Sequence, residues 1–385
     1  MRKIRIGLLI PYSGIFRNLR ADFRQGLQLG LRNLPANYQI EFAEEFIQTG
    51  GKPFVEQALN KLLLFDNVDI VIGVAGTKVI LQCADIFEKH RTPVIAVNLG
   101  GFVPTYQFRS DYLFHTSLEL WKSEWVMGKW AQVHFGADPA VSLSYYEAGY
   151  NMHECYRYGL HAAGAASVKL NFISNMTTQP DTLPLINQLE ILRPGHTHAM
   201  LSGKEATEFL YHYNQKNISS RTALTVHPFV TDECLESADP LAAGFYSAAT
   251  WTYHLDTAEN SAFKSGYESA FADRPNAYSM LAYECGLALS QSATALGQRS
   301  VNRESLAESL RGVSALGPRG NFSLKTTPYA TMHPVYIRIS EVSKKTQQLE
   351  NRVVDQRPAV SWEQPDILEA AYQNTSGWQN PYLCV

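Results

Sequence analysis

The sequence has little of what several large classes of protein need. Its 385 residues contain five cysteines, widely separated and without a C-x-x-C pair, so neither a zinc site nor a disulfide framework is indicated. The formal net charge is only -3, which gives no electrostatic reason to expect a nucleic acid or an anionic membrane as partner. No stretch approaches the ~20 apolar residues of a membrane-spanning helix, so we expect no membrane insertion.

Familiar catalytic motifs are also missing. G-V-A-G-T-K-V at 73–79 lacks the spacing of a phosphate-binding P-loop, and its lysine follows a threonine. There is no G-x-S-x-G elbow and no H-E-x-x-H pair. We therefore predict no catalytic residues, no metal ligands and no cofactor. An enzyme on a doubly wound α/β scaffold stays as the weaker alternative.

What the sequence does have is a regular alternation of strand and helix patterns. The apolar run at 68–72 ends at Gly73, a helical pattern follows at 78–90, and 94–97 is apolar again. Successive units of this kind force parallel strands joined by right-handed crossovers. The rhythm restarts near residue 140, and the chain is long enough for about two domains. The sequence therefore predicts an α/β protein with two lobes, separated near 114–125.

The remainder of the chain has a different pattern. Helical patterns occur at 259–272, 277–296 and 303–311, and strand-like runs follow at 321–325 and 334–339. From Ser343 the chain is polar and we expect it to be irregular, packed on the second lobe through a few apolar anchors. These anchors are Trp362, Ile367, Leu368 and Trp378. At the other end, M-R-K-I-R-I-G-L-L-I-P has too short an apolar run for a signal peptide, so we expect it to be a first strand.

Five short segments occur in an order and spacing typical of one protein superfamily. They are P-Y-S-G at 11–14, a helix and strand ending in D-I-V-I-G at 54–73, Y-E-A-G-Y at 146–150, A-Y-E at 282–284 and G-P-R-G-N-F-S at 317–323. Together they resemble the type I periplasmic-binding-protein superfamily, in particular its branched-chain amino acid and amide receptor branch. The resemblance covers about residues 3–342.

The resemblance implies two Rossmann-like lobes with parallel sheets, joined by a hinge of three crossovers and closing over a ligand. Lobe one would comprise residues 1–117 and 252–330, and lobe two 118–251 and 331–385. The implied function is that of an extracytoplasmic receptor of an ABC importer, which delivers its ligand to permease membrane subunits. We expect a periplasmic or extracytoplasmic location with any signal peptide removed. A cytoplasmic sensor of the amide-regulator type, with the same fold, is the alternative.

The resemblance also implies ligand contacts on lobe one. Thr77 lies four residues after the glycine that ends its strand, where relatives bind a ligand carboxylate. A hydroxyl beside amides at a helix N-terminus suits an anion, although the residue can equally cap the helix. The next strand ends at Asn98 and Gly100, and Gly100 lacks a hydroxyl that relatives have there. Asn98 either compensates for it as a ligand contact or simply holds the loop. The loop after the first strand supplies further candidate ligand-binding residues, namely Tyr12, Ser13 and Phe16, and Trp121 is a possible wall residue.

On lobe two, the resemblance places Tyr150 where relatives close a tyrosine onto the ligand. Relatives that bind amino acids carry an acidic residue near His227, whereas here the two nearest candidates are His227 and Lys204. Neither side chain favours a cation, so we expect a small carboxylate, an aromatic acid or a neutral amide rather than an unmodified amino acid. Solvent-facing positions for both residues remain the alternative.

Overall fold

Two mostly parallel β-sheets, each covered on both faces by helices, organise the protein. This computed structural model describes residues 2–103, 110–136, 138–173, 180–228, 243–324, 333–347 and 349–358. The sequence-based prediction of an α/β protein with two parallel-sheet lobes is confirmed.

The first sheet has five strands. They are β1 (Arg2–Ile10), β2 (Tyr38–Phe46), β3 (Ile70–Val74), β4 (Val94–Asn98) and β5 (Leu113–Ser117). All neighbours pair in parallel in the order β2–β1–β3–β4–β5. Every residue of β3 and β4 is buried, because helices cover both faces of the sheet, and this explains their uninterrupted apolar sequence.

The helices of this lobe are α1 (Leu19–Gly30), α2 (Lys52–Leu64), α3 (Thr77–Gln82) and α4 (Ala84–Lys89). The single helix predicted at 78–90 is wrong, because α3 and α4 are separate. At Cys83 the backbone has φ -104 and ψ 8, and its N–H bonds to the carbonyl of Ile80, three residues back. Such a tightened turn ends α3 after six residues.

The second lobe begins with a helix that the sequence analysis does not predict, α5 (Leu120–Phe135). The elements that follow are β6 (Pro139–Ser144), α6 (Met152–Ala162), β7 (Lys169–Ile173), α7 (Leu183–Leu192), β8 (His196–Met200), α8 (Gly203–Gln215), β9 (Ala223–Val226) and β10 (Tyr246–Ala249). The predicted boundary region 114–125 thus contains the end of β5 and the start of α5. Only Leu118 and Glu119 separate the two elements.

The last part of the chain contributes helices and strands to both lobes. Its elements are α9 (Ala258–Phe271), α10 (Ala277–Leu296), α11 (Arg303–Arg311), the hairpin β11 (Ala315–Gly317) and β12 (Gly320–Phe322), β13 (Val335–Val342) and β14 (Leu349–Arg357). Helix α10 packs directly on α1, so closely that a Cβ on Gly26 would lie 2.1 Å from the carbonyl oxygen of Ser279. Helices α5 and α6 cross in the same way at Gly159, whose Cβ would lie 2.1 Å from the oxygen of Trp125.

Strands β13 and β14 extend the second sheet, whose order is β14–β13–β10–β9–β8–β6–β7. Both added strands run antiparallel to their neighbours. The expectation of an irregular chain after Ser343 is therefore wrong for β14. Its polar side chains are compatible with a strand because β14 lies at the sheet edge and takes its hydrogen bonds from β13. The proposed anchors beyond residue 358 lie outside the described residues.

Candidate functional site

Three neighbouring strands of the first sheet end in polar side chains that bond to one another. Thr77 follows β3, Asn98 ends β4 and Ser117 ends β5. The Ser117 hydroxyl donates to Asn98 Oδ1 at 3.0 Å, and Asn98 Nδ2 donates to Thr77 Oγ1 at 3.0 Å. Asn98 is buried and Thr77 only half-buried, so the chain of bonds leads from the interior towards the surface. The carboxyl edge of a parallel sheet is where open α/β proteins bind ligands.

The helix that begins at Thr77 has only six residues, and Gly76 rather than Thr77 occupies its N-cap position. The Thr77 hydroxyl accepts the hydrogen bond from Asn98 Nδ2 described above. A helix of this length contributes little dipole, so the amides at its start add little to an anion site. The side-chain hydroxyl is the group that this strand end offers to a ligand.

Gly100 has a structural reason for lacking a side chain. Its φ is +81°, and a Cβ there would lie 2.8 Å from both the Cα of Glu119 and the hydroxyl oxygen of Ser117. Its carbonyl accepts a hydrogen bond from the amide of Trp121 at 2.9 Å. The loop after β4 therefore lies directly on the connection to the second lobe. Trp121 itself is buried and packs against Val103.

The loop after β1 places its three candidates differently. Ser13 accepts a hydrogen bond from the amide of Phe16 at 3.0 Å, which stabilises a turn. Phe16 is buried and meets Tyr278 edge-to-face, with ring centroids 4.9 Å apart. Tyr12 is 55% exposed. Of the three side chains, that of Tyr12 is the one accessible to a solute.

Tyr150 lies at the junction of the lobes and is fully buried. Its ring lies between Phe102, at 5.4 Å, and Tyr146, at 6.0 Å, and its hydroxyl donates to that of Tyr146 at 3.3 Å. The backbone N–H of the next residue, Asn151, donates to the carbonyl oxygen of Gly101 at 3.1 Å. The side-chain Oδ1 of Asn151 accepts a hydrogen bond from the backbone N–H of Val103, also at 3.1 Å. The loop after β4 of the first sheet is thus bonded to the start of α6 in the second lobe.

His227 follows β9 and is fully buried, so the solvent-facing alternative is wrong for this residue. Its Nε2 lies 2.9 Å from the sulfur of Met152 and 4.0 Å from Glu124 Oε1. Beside it, His198 Nε2 lies 3.1 Å from Glu124 Oε2, and His198 Nδ1 lies 2.9 Å from Thr225 Oγ1. Burial lowers the pKa of His198 to about 3 and raises the pKa of Glu124 well above its usual value. Burial thus disfavours the charged form of each of these three side chains.

The other second-lobe candidate, Lys204, is exposed in the first turn of α8. The residue before α8, Ser202, bonds to Glu147, which sequence reasoning treats only as part of a motif. Glu147 is almost fully buried, and one of its carboxyl oxygens has no hydrogen-bond partner among the described residues. Burial raises the pKa of Glu147 to about 7, partly offset by a hydrogen bond to Ser202 and reinforced by nearby Glu205. This carboxyl can therefore gain or lose a proton near neutral pH.

The connections between the lobes meet at one buried guanidinium group, that of Arg319. It bonds both carboxyl oxygens of the equally buried Glu284 on α10, at 3.1 and 2.5 Å. It also donates to the carbonyl of Ser117 at 2.8 Å and to the hydroxyl of Thr250 at 3.3 Å. The Thr250 hydroxyl in turn donates to the carbonyl of Leu118 at 2.8 Å. Two crossovers are thus fixed to a helix that packs on α1 of the first lobe.

Buried titratable groups make the stability depend on pH in both directions. The pKa of His198 falls from 6.5 to about 3 on folding, so its contribution is present above pH 6.5 and is lost as the pH drops towards 3. The pKa of Glu147 rises from 4.5 to about 7, so its contribution is present below pH 4.5 and is lost as the pH rises through 7.

Between about pH 7 and about pH 5 these two contributions change in opposite directions, each by roughly 1.4 kcal/mol per pH unit. We therefore expect the melting temperature of the wild type to fall by a few degrees relative to that of a His198→Gln variant over this range, because the variant lacks the histidine contribution. Scanning calorimetry across this range tests the expectation. The melting temperature of the His198→Gln variant should fall less, or rise more, than that of the wild type as the pH is lowered. Melting temperatures of the wild type and the His198→Gln variant that change in parallel from about pH 7 to about pH 5 would contradict the assignment.

Two features that would point elsewhere do not occur in the described part of the chain. There, no three histidine, cysteine or acidic side chains are grouped so that they could hold a metal ion. Among the same residues, none of the helices has the length and apolar character required to span a membrane.

Two hinged α/β lobes with polar groups at the carboxyl ends of both sheets define a class of ligand-binding proteins. A family model described as periplasmic binding protein matches residues 3–345. The chain belongs to this family.

Solved structures of similar fold are solute-binding proteins of ABC transporters. One from R. palustris, in complex with benzoate, has 23% identity and a TM-score of 0.76, covering 94% of this chain and 98% of that one. One from Sphaerobacter thermophilus has 21% identity and a TM-score of 0.80, covering 93% and 98%. One from Rhodopseudomonas palustris BisB5, in complex with 3,4-dihydroxybenzoic acid, has 20% identity and a TM-score of 0.77, also covering 93% and 98%. A comparison with curated proteins gives no match.

Proposed function

We propose that this protein is the extracytoplasmic solute-binding receptor of an ABC importer and captures a small ligand between its two lobes. Its membership of the periplasmic binding protein family over residues 3–345 carries the proposal. Lobe one would comprise residues 1–117 and 252–330, and lobe two 118–251 and 331–385. The packing of α10 on α1 and the pairing of β13 with β10 support this division.

The ligand we propose is a small carboxylic acid, with an aromatic acid as the first candidate. The Thr77 hydroxyl is a half-buried group that a carboxylate can approach at the edge of the first sheet. Aromatic side chains lie along the junction, with Phe102 and Tyr150 in ring contact and Tyr12 exposed. Two structures of similar fold hold benzoate and 3,4-dihydroxybenzoic acid. Closure would stabilise the complex through contacts made only in the shut state.

A second candidate ligand is a zwitterionic amino acid. The observation that favours it is the buried carboxyl of Glu147, one oxygen of which has no hydrogen-bond partner among the described residues. A ligand ammonium placed beside this oxygen would lower the pKa of Glu147 and fix it as a carboxylate. His227 would then take no part in charge recognition, since it is buried and neutral beside Glu124.

The partners implied by this function are the permease membrane subunits, which would recognise the closed form. The location would be the periplasm or another extracytoplasmic space. The protein would bind without turnover, and a bound acid recovered chemically altered would instead indicate an enzyme. A cytoplasmic sensor with the same fold would respond to the same ligands but would not require a permease.

A thermal-shift screen tests the ligand class. Benzoate, 4-hydroxybenzoate, benzamide, leucine and glutamate would each be added to the purified full chain. A ligand at 100 times its dissociation constant should stabilise the folded state by about 2.7 kcal/mol, which is visible as a rise in melting temperature. We expect the aromatic acids to produce this rise and leucine to produce none.

The matched control is a Thr77→Val variant, which keeps the shape of the side chain but removes its hydroxyl. Its melting temperature without ligand should fall by a few degrees, because the buried Asn98 amide loses an acceptor, and it should lose most of the shift with benzoate. A shift with leucine that disappears in a Glu147→Gln variant would establish the second candidate instead. No shift with any acid or amino acid would contradict the proposed ligand classes.

A further inference from the structure

We propose that Ser117 and Asn98 are positioning residues that hold the Thr77 hydroxyl as a hydrogen-bond donor towards the ligand. The inference deepens the proposed function, on which it rests, by fixing the ligand group at this site as an acceptor such as a carboxylate oxygen. Ser117 is not among the sequence-based candidates, and for Asn98 the sequence leaves open a contact with the ligand or a role in holding the loop.

The direction of the chain of bonds is set at its inner end. The backbone amide of Glu119 donates to Ser117 Oγ at 3.0 Å, and a backbone amide can only donate. Ser117 Oγ lies 3.0 Å from Asn98 Oδ1, so its own proton is directed there. The Ser117 hydroxyl is therefore an acceptor on one side and a donor on the other.

The orientation of the Asn98 amide is fixed independently. One carboxamide atom of Asn98 lies 3.5 Å from the carbonyl oxygen of Ala75, which can only accept a hydrogen bond. The same carboxamide atom lies 3.0 Å from Thr77 Oγ1. It must be the nitrogen, because the carbonyl oxygen of Ala75 cannot donate, and the opposite atom, Oδ1, is then the acceptor for the Ser117 hydroxyl. Both ends of the amide thus agree on one orientation.

These two bonds determine the direction in which the Thr77 hydroxyl proton points. Its oxygen already accepts a hydrogen from Asn98, so its own proton is available for a bond directed outwards. Asn98 is buried, which lowers the local dielectric and strengthens each bond in the chain by polarisation from the one before. The three side chains present a single preorganised donor at the surface. The hydroxyl keeps a second lone pair, but only a ligand acceptor can use the proton that this chain of bonds directs outwards.

This arrangement gives Asn98 a role that an isosteric carboxylate cannot perform. In an Asn98→Asp variant the new oxygen would accept the Thr77 proton, turning that hydroxyl inwards and adding a negative charge beside the ligand. A Ser117→Ala variant would remove one of the two groups that fix the amide orientation, the other being the Ala75 carbonyl. A Ser117→Thr variant would retain the hydroxyl and should rescue the function.

The test combines a ligand-free measurement with a binding measurement. In the first, the side-chain amide of Asn98 is followed by NMR in full-length protein labelled with ¹⁵N-asparagine, and its signals are assigned by their loss in Asn98→Asp. We expect the signals to move in Ser117→Ala and in Thr77→Val and to return close to the wild-type positions in Ser117→Thr. Signals that do not move in Ser117→Ala would overturn the relay whatever the ligand is.

In the second measurement, calorimetry with benzoate and benzamide compares the variants. Ser117→Ala should weaken benzoate binding about five- to tenfold, as expected for one hydrogen bond, and Ser117→Thr about twofold at most. Asn98→Asp should weaken benzoate more than benzamide, a change in selectivity that a structural role would not cause. Equal losses for both ligands would overturn the positioning role.

Ser142→Ala serves as a matched control, since it removes a buried strand hydroxyl in β6 that lies 3.4 Å from Thr197 Oγ1, away from the chain of bonds. It should alter stability without altering benzoate affinity. If the wild type binds neither probe while the Asn98 signals respond as described, the proposed aromatic-acid ligand fails and the relay is still supported. The two failures are thus distinguishable.

Discussion

Replacing Arg319 by methionine is expected to lower the free energy of unfolding by about 3–5 kcal/mol. The change would leave the carboxylate of Glu284 buried without its partner, and the carbonyl of Ser117 and the hydroxyl of Thr250 would each lose a bond. Desolvation of an uncompensated charge costs more than the lost attraction between the pair. Urea denaturation followed by circular dichroism would measure the effect.

The chain offers a control for Arg319 that differs mainly in burial. Arg352 also bonds both oxygens of one carboxylate, Glu341, at 3.0 and 2.9 Å, but its side chain is 60% exposed. Arg352→Met should therefore cost no more than about 1 kcal/mol. A double variant with Glu284→Leu should recover much of the stability lost in Arg319→Met. Equal losses at Arg319 and Arg352 would refute the argument from burial.

A second large effect is expected from Gly26→Ala, which should destabilise the protein by about 3 kcal/mol. The added methyl group would lie 2.1 Å from the carbonyl oxygen of Ser279, which belongs to the backbone of α10 and cannot rotate away. The two helices would have to separate, and the packing around the crossing would loosen. The melting temperature and the urea midpoint should both fall.

Gly266 provides the matched control, because it also lies inside a helix, α9, but has room around it. The nearest atoms to its Cβ position are methyl groups of Leu29 at 3.8 Å, an ordinary contact distance. Gly266→Ala should therefore stabilise the protein by up to about 1 kcal/mol through helix propensity. The two substitutions are identical in chemistry and opposite in expected sign. A loss of stability in both would show that contact distance is not the cause.

Much of the fold can be predicted from local pattern. Buried parallel strands such as β3 and β4 are continuous apolar runs, and the long helix α10 is apolar on most of its surface. Two elements were missed because their patterns are weak. Helix α5 buries charged residues, including Lys122 and Glu124, which a sequence reader places outside the core. Strand β14 is polar because only one of its edges is paired.

Site residues could be predicted from the sequence only where they lie at the ends of neighbouring parallel strands. Thr77 and Asn98 were expected close together because both follow parallel strands, and the structure brings their side chains into contact. The pair formed by Arg319 and Glu284 was not foreseen, since each residue was read only as part of a motif and a buried ion pair leaves no periodic signal. His227 was expected to face the ligand, and its burial depends on Glu124 from the unpredicted helix.

The crossing of α1 and α10 also has a consequence for the order in which the chain can fold. Asn276, at the start of α10, bonds to Asp22 of α1 across 254 residues of chain. The strands β6 to β10 and helices α5 to α8 of the second lobe, by contrast, lie within one continuous stretch. Closing so long a loop is entropically costly and slows folding. We therefore expect the contacts between α1 and α10 to form after the local contacts of β6 to β10, with the apolar face of α1 exposed until α10 arrives.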